Sequence, residues 1–446
     1  MDKSYNGKIN RIRFKKRIRR KRNKKQAKSN RYKLRYKILY RKIDNTRRVT
    51  VSPLYKYLYK FLYDKGRIRQ RLEAPKLFCL KTNNTESLKF IESVFSTLYH
   101  EIRYGNEIIE ISFEKSDRVS LGSLMIINVL ITDFFASKRK LANIGLSKSI
   151  LPNITLNPKM EDSINNLLST MHFPVQLKKE RSIPMPGFKL IRGVVQKVSY
   201  SENSKGKVAK RLRSYINGCI SLYDVELNNY GIGLFDSMIG EILANADDHS
   251  SIKNWYVYGS FTVHDSKISN SEKPLGELNL IFLNFGPTFY QGISESRNRN
   301  EVMFSEMEAL YNHTIVENSL ESKFPFESMV TLYSLQEGYS RLLHTDISRG
   351  TGTMTFIRSF LSIGASNSEF LSQLYILSGR TLVTCDIESM PFMIDDRYYL
   401  SLNSQNDLAL PPDETKLQTM NKTFPGTLLL TKAYLDQTHL NSKIND

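Results

Sequence analysis

Glu241, Asn245 and Asp248 stand at i, i+4 and i+7, a spacing that puts all three side chains on one face of a helix. A carboxylate, a carboxamide and a second carboxylate so arranged suit metal–nucleotide chemistry. The first acid can take a proton from water. The amide oxygen is a hard ligand for Mg2+, and the second acid can address a base edge or an ordered water. The helix that must carry them is legible too. Phe235, Ile239, Ile242 and Ala246 fall at i, i+4, i+7 and i+11, an apolar stripe on a different face. His249 follows Asp248 directly, placed either for phosphate or ribose or for a local backbone contact at the helix end. A solvated helix face could have the same spacing, so the weight falls on later segments.

Three such segments follow in order. Leu278–Ile293 reads as a strand running into Asn284-Phe285-Gly286, where a polar side chain can meet a purine edge with backbone close behind it. In Ser348–Leu361, Arg349, Gly350 and Gly352 precede a helix predicted to start near Thr353, so backbone N–H groups and a helix N-terminus can cradle phosphates. Gly426-Thr427 opens an apolar strand, from which the threonine hydroxyl could reach a purine. Each is weak alone; their fixed order is the signal.

That order resembles the GHKL ATPase superfamily, which joins DNA gyrase B, the large heat-shock chaperone, sensor histidine kinases and the mismatch-repair ATPase. Its N-box, E-x-x-x-N-A-x-D, is matched by Glu241, Asn245, Ala246 and Asp248. Its D-x-G-x-G box is met in part by Asn284, Gly286 and Thr288, with an amide for the adenine-binding aspartate and Thr288 for the second glycine. The glycine-rich box maps on Gly350 and Gly352 with Arg349 adjacent, and the late Gly-Thr on Gly426 and Thr427. The resemblance covers residues 208–435. It implies a Bergerat-type α/β sandwich, a mixed sheet with helices on one face, binding ATP. It further implies Mg2+ held by Asn245, Glu241 as the base activating water, and an ATP lid over 292–349. An acidic residue at position 241 sets hydrolases and serine kinases of the family apart from most sensor histidine kinases.

Upstream, Ser87–Tyr104 and Met160–Met171 read as helices, Glu107–Phe113 as an alternating strand and Leu121–Phe135 as a buried helix. This order over 76–184 resembles the STAS-like regulatory fold, with Ser120 and Ser123 near its phosphoacceptor position. Residues 185–207, with Pro186 and a Ser/Lys-rich stretch, read as a linker. The chain as a whole is therefore expected to be α/β in two domains, within the 446 residues available.

Charge is concentrated at one end. Residues 1–48 hold 22 Lys/Arg against Asp2 and Asp44, while the remainder is nearly balanced at 43 bases and 42 acids. A block of like charge (1–50) is expected to be disordered when free and suits nucleic acid, ribosome or anionic membrane. Tyr32, Tyr36 and Tyr40 among the arginines tilt it toward nucleic acid, and helical character is expected from Tyr55 to Tyr63. Cys79, Cys219 and Cys385 lack zinc or disulfide spacing, which suits a reducing compartment. No leader or membrane-spanning run is read, so the expected location is cytoplasmic.

The reading of function that follows is a Mg2+-dependent ATPase working as a nucleotide-driven switch, with a protein partner or dimer left open. The alternatives are a serine/protein kinase of anti-sigma-factor type acting on a STAS partner, and a nucleic-acid-associated protein using residues 1–48.

Overall fold

Apolar periodicity builds an amino-terminal unit first. The computed structural model describes residues 51–104, 108–143, 154–171, 173–175, 189–196, 203–221, 254–264, 275–339, 352–364 and 370–435, with Gln26, Gly233, Asp236, Ile239 and Gly240. Helix α1 (Pro53–Leu62) starts as its sequence dictates: Ser52 caps it by accepting from Tyr55 N, and Pro53 occupies its first turn, where a missing N–H costs nothing. Strand β1 (Arg71–Glu73) and the short β2 (Leu77–Phe78) lead into α2 (Asn84–Tyr104). Then come β3 (Ile109–Ser112), β4 (Arg118–Val119), α3 (Leu121–Asn143), β5 (Ile154–Leu156) and α4 (Asp162–Thr170). β1, β3 and β5 form a parallel sheet with β3 central, and β2 pairs parallel with β4. α1 is locked onto both long helices. The Tyr55 hydroxyl donates to the Leu130 carbonyl at 2.9 Å, and its ring stacks on Phe95 at 5.1 Å. The unit therefore begins near residue 51, earlier than the expected boundary at 76, because α1 and β1 share its core.

The second half is organised by five long strands. These are β6 (Lys189–Gln196), β7 (Asn254–His264), β8 (Leu275–Phe285), β9 (Gln373–Cys385) and, after the hairpin β10 (Phe392–Ile394) with β11 (Arg397–Tyr399), β12 (Leu417–Leu435). Their order is β6-β7-β8-β12-β9, and every neighbouring pair among the described residues is antiparallel. A mixed sheet was the expectation here. The parallel pairings lie in the amino-terminal unit, whereas β7 and β8 are joined by too few residues for a parallel crossover.

Two more expectations change. Residues 185–207 are not simply a linker: β6 adds an edge strand in eight-residue register with β7, and helix α5 (Asn203–Ile220) begins inside the stretch. Residues 292–349 were expected as a lid, yet 292–339 form a packed layer. Helices α6 (Phe289–Glu295), α7 (Glu301–Tyr311) and α8 (Phe326–Tyr333) bury Ile293, Met303, Phe304, Met307, Val330 and Tyr333. Apolar groups of that number are sequestered, because leaving each in water costs about 1.5–3 kcal/mol.

The sheet thus has two different covers. One face meets α5 to α8 and helix α9 (Gly352–Ile363). Ile239, the described member of the predicted apolar stripe, is helical and fully buried on this side. The other face, through Tyr256, Ile281, Leu283, Phe285, Leu377, Phe424 and Leu428, shares one apolar core with the amino-terminal unit. Gly122 at the start of α3 lies so close to β12 that a Cβ there would stand 3.0 Å from Leu430. Lys422 pairs with Glu92, and Lys81 Nζ donates to the Tyr375 hydroxyl at 2.8 Å, fastening the same junction. α3 is long and apolar enough to cross a membrane by composition, but two thirds of its most apolar stretch is buried in this core.

Candidate functional site

Asn284 and Thr427, far apart in sequence, are brought side by side by the antiparallel register of β8 and β12. Asn284 lies opposite Thr427 on one side and opposite Trp255 of β7 on the other. Directly opposed residues share a face of the sheet, and here it is the face under the helical layer. The Asn284 Oδ1 accepts from the Thr427 N–H at 3.1 Å, which holds the carboxamide across the strand gap.

Gly426 makes this approach possible. Its φ is +157°, and a Cβ there would lie 2.1 Å from the Asn284 carbonyl oxygen and 2.9 Å from Phe285 Cα. No side chain fits. The sequence signal Gly-Thr is therefore accounted for locally: the glycine closes the strands and the threonine lands beside the amide.

Hydroxyls extend the cluster. Thr427 Oγ1 is 3.0 Å from Ser378 Oγ on β9, and Ser378 Oγ accepts from the Phe289 N–H at 3.0 Å, at the start of α6. Thr288 caps that helix by a reciprocal pair: its side chain accepts from the Gln291 N–H, and Gln291 Oε1 accepts from the Thr288 N–H, both at 3.1 Å. Thr288, which stands where the resemblance expects a second glycine, thus works as a helix cap, and Gly286 supplies the bend before it. Gly379 lies at φ +60°, and a Cβ there would be 2.8 Å from Glu327 Oε1 and 3.1 Å from Thr288. Glu327 Oε1 instead accepts from the Arg380 N–H at 3.2 Å. The β9–β12 register shifts between Thr419 and Thr427, an irregularity of the kind that re-aims side chains at sites.

Gly352 is buried and is the first residue of α9, as the glycine-before-helix pattern predicts. One turn on, the Phe356 ring meets Phe282 edge-on at 6.4 Å. That helix therefore crosses the face carrying Asn284. Glu241, Asn245, Asp248, His249, Arg349 and Gly350 lie outside the described residues, so the described part of the site comprises Asn284, Gly286, Gly352 and Thr427. Among the described residues no cluster of His, Cys, Asp and Glu could hold a metal ion.

The chemistry of this half is neutral. The side chains gathered here, an amide, two hydroxyls and an indole ring, are uncharged, with Asn284, Ser378 and Trp255 buried. Trp255 and Ser378 escaped sequence reasoning. The glycine inside the apolar strand Leu377-Ser378-Gly379-Arg380 is the signal that marks a bulge. A small cavity of about 20 Å³ lies elsewhere, between α3 and β7, lined by residues that include Met125, Asn128 and Tyr258; it holds about one water. Ser120 and Ser123, on the amino-terminal unit, are both engaged. Ser120 Oγ donates to Ser123 Oγ at 2.8 Å at the start of α3, and the fully buried Ser123 accepts from the Leu80 N–H.

Comparison of the chain with family models, curated proteins and solved structures returned no match.

Proposed function

We propose that the protein binds ATP in a GHKL-type site of Bergerat architecture and uses it, with Mg2+, as a hydrolysable conformational switch. The observation that carries the reading is the juxtaposition of Asn284 with Thr427 across Gly426. Two residues expected on the same purine from separate motifs are cross-strand neighbours. In this reading Asn284 orients the base through its carboxamide. Thr427, when Ser378 donates to it, keeps its own hydroxyl proton for a ring nitrogen. Trp255 lines the base-binding end. Gly350 and Gly352 leave room for phosphates at the α9 N-terminus, Asn245 holds Mg2+, and Glu241 takes a proton from the attacking water. Bound Mg2+–ATP supplies a polarised γ-phosphate. The packed layer of 292–339 makes any lid shorter than the resemblance implies.

The test is thermal stability with ATP, ADP and GTP, with and without Mg2+, followed by emission of Trp255, the single tryptophan. Native-state binding raises the midpoint by mass action. An adenine-specific rise is expected in the wild type, with its Mg2+-dependent part lost in Asn245→Ala. Glu241→Ala is expected to keep binding and lose turnover. No shift with any nucleotide overturns the reading.

A protein kinase is the second reading, favoured by the parallel α/β unit upstream, which we read as STAS-like. Radiolabel from the γ-phosphate retained on this protein or an added STAS domain would favour it over hydrolysis. Ser120 and Ser123 are poor acceptors in cis, given their mutual hydrogen bond.

A further inference from the structure

Helix α1 leaves a row of rings in water. Leu54, Tyr55, Leu58 and Leu62 already satisfy the core, yet Tyr59 remains 41% exposed and Tyr104 at the end of α2 42%; Phe61 lies on a different side of the helix, against Tyr57. The rings are ordered against one another. Tyr59 stacks on Tyr63 with centroids 4.7 Å apart and touches Tyr99 at 4.8 Å, while Tyr63 meets Tyr99 edge-on at 5.3 Å. The row continues through Arg103, which lies over the Tyr104 ring at 5.1 Å, and His100, 4.6 Å from the same ring.

The exposed charge around the rings is mostly basic. Lys56, Lys60, Lys65 and Arg69 are exposed on α1 and just after it. The nearby acids are occupied: Asp64 and Glu92 by Arg67 at 3.2 and 3.1 Å, and Glu101 by Lys138 at 2.8 Å. Immediately before α1 the sequence carries the 22 Lys/Arg of residues 1–48.

We propose that the outer side of α1 and the end of α2 form a stacking platform for single-stranded nucleic acid, with the exposed Lys60, Lys65 and Arg69 beside the rings tracking its backbone. Unstacked bases find π faces on exposed tyrosines, and cations beside them track phosphates. A duplex offers no open base faces to such rings. The platform belongs to the amino-terminal unit and does not depend on the nucleotide site.

The experiment titrates the full chain into fluorescein-labelled single-stranded DNA and RNA, the matching duplexes, and vesicles with and without phosphatidylserine. Single strands are expected to bind more tightly than duplexes, with a steep salt dependence that flattens on deleting residues 1–48. Tyr59→Ala with Tyr104→Ala should weaken single-strand binding at least about tenfold, from the usual loss per stacked base, at unchanged salt slope. Tyr59→Leu with Tyr104→Leu keeps apolar bulk and should lose as much; the tryptophan pair should restore binding. The proposal is overturned by equal affinity for duplex and single strand, by leucine rescuing as well as tryptophan, or by unaltered binding in both variants. It is likewise overturned if only the anionic vesicles bind, or if the exposed rings prove to be buried between two copies in sedimentation.

Discussion

Asn284 and Phe285 are consecutive in β8 and serve opposite faces of one sheet. Phe285 points into the core shared with the amino-terminal unit, where it meets Tyr256 and Phe424 at 6.2 and 6.0 Å. Asn284 points under the helical layer, into amide and hydroxyl company. One face is sealed by aromatic and aliphatic packing, and the other carries at its end largely buried polar groups that hold one another in place. The contrast teaches that the alternation of a strand suffices to send neighbouring residues into an apolar core on one side and a polar network on the other.

Substitutions can break that contrast in graded ways. The largest effect is expected at Gly426, which serves both faces by letting β12 approach β8. Gly426→Ala forces a Cβ into the Asn284 carbonyl and should cost more than about 4 kcal/mol, read as loss of cooperative unfolding in urea. Phe285→Ala should cost about 3–5 kcal/mol while leaving the nucleotide-induced rise in midpoint intact at low temperature. Asn284→Ala reverses the pattern. It should cost about 1–2 kcal/mol through the lost bond to Thr427 N–H, yet abolish the nucleotide response. If Phe285→Ala erases the response while Asn284→Ala keeps it, the division of labour between faces is wrong. Thr427→Val, which keeps the backbone donor and removes the hydroxyl, should change stability little and weaken nucleotide affinity about tenfold.

The smallest effect belongs to the sealed side. Burial holds the Asp133 carboxyl above its ordinary range, opposed by the hydrogen bond from Ser52 and by Lys140. A carboxyl raised in the folded state binds its proton more tightly there than in the unfolded chain. Its contribution is therefore present at low pH and is lost as pH rises through the folded value. Asp133→Asn should remove that fall from the curve of unfolding free energy against pH; an unchanged curve would show that the group titrates normally.

The elements with long apolar periods were legible in the sequence. α2, α3 and β8 lie within a few residues of the expected bounds, apart from the extra two turns of α3, because each repeats its buried positions over several turns or pleats. β6 was hidden because Pro184 and Pro186 in the sequence just before it suggested a linker and Arg192-Gly193 interrupt its apolar run. The layer 292–339 was expected as a lid only because the resemblance implies one there; the Asn, Ser and Glu between its short helices obscure the buried Met and Phe positions that pack it. Asn284, Thr427 and Gly352 were picked out by type and neighbours. The pairing of Asn284 with Thr427 was not legible in the residues, since strand register joins positions with no sequence relation. Trp255 and Ser378 were missed for the same reason.

β12 lies between β8 and β9, although both of those precede it in the chain. During synthesis, then, the ribosome delivers α3, β8 and β9 while the strand that must separate and cover them is still unmade. The pairings that join β8 to β9, and the cover that β12 lays over the start of α3, can be completed only after that strand is made. Production of this protein is expected to lean on holding chaperones early and to finish in a single late step.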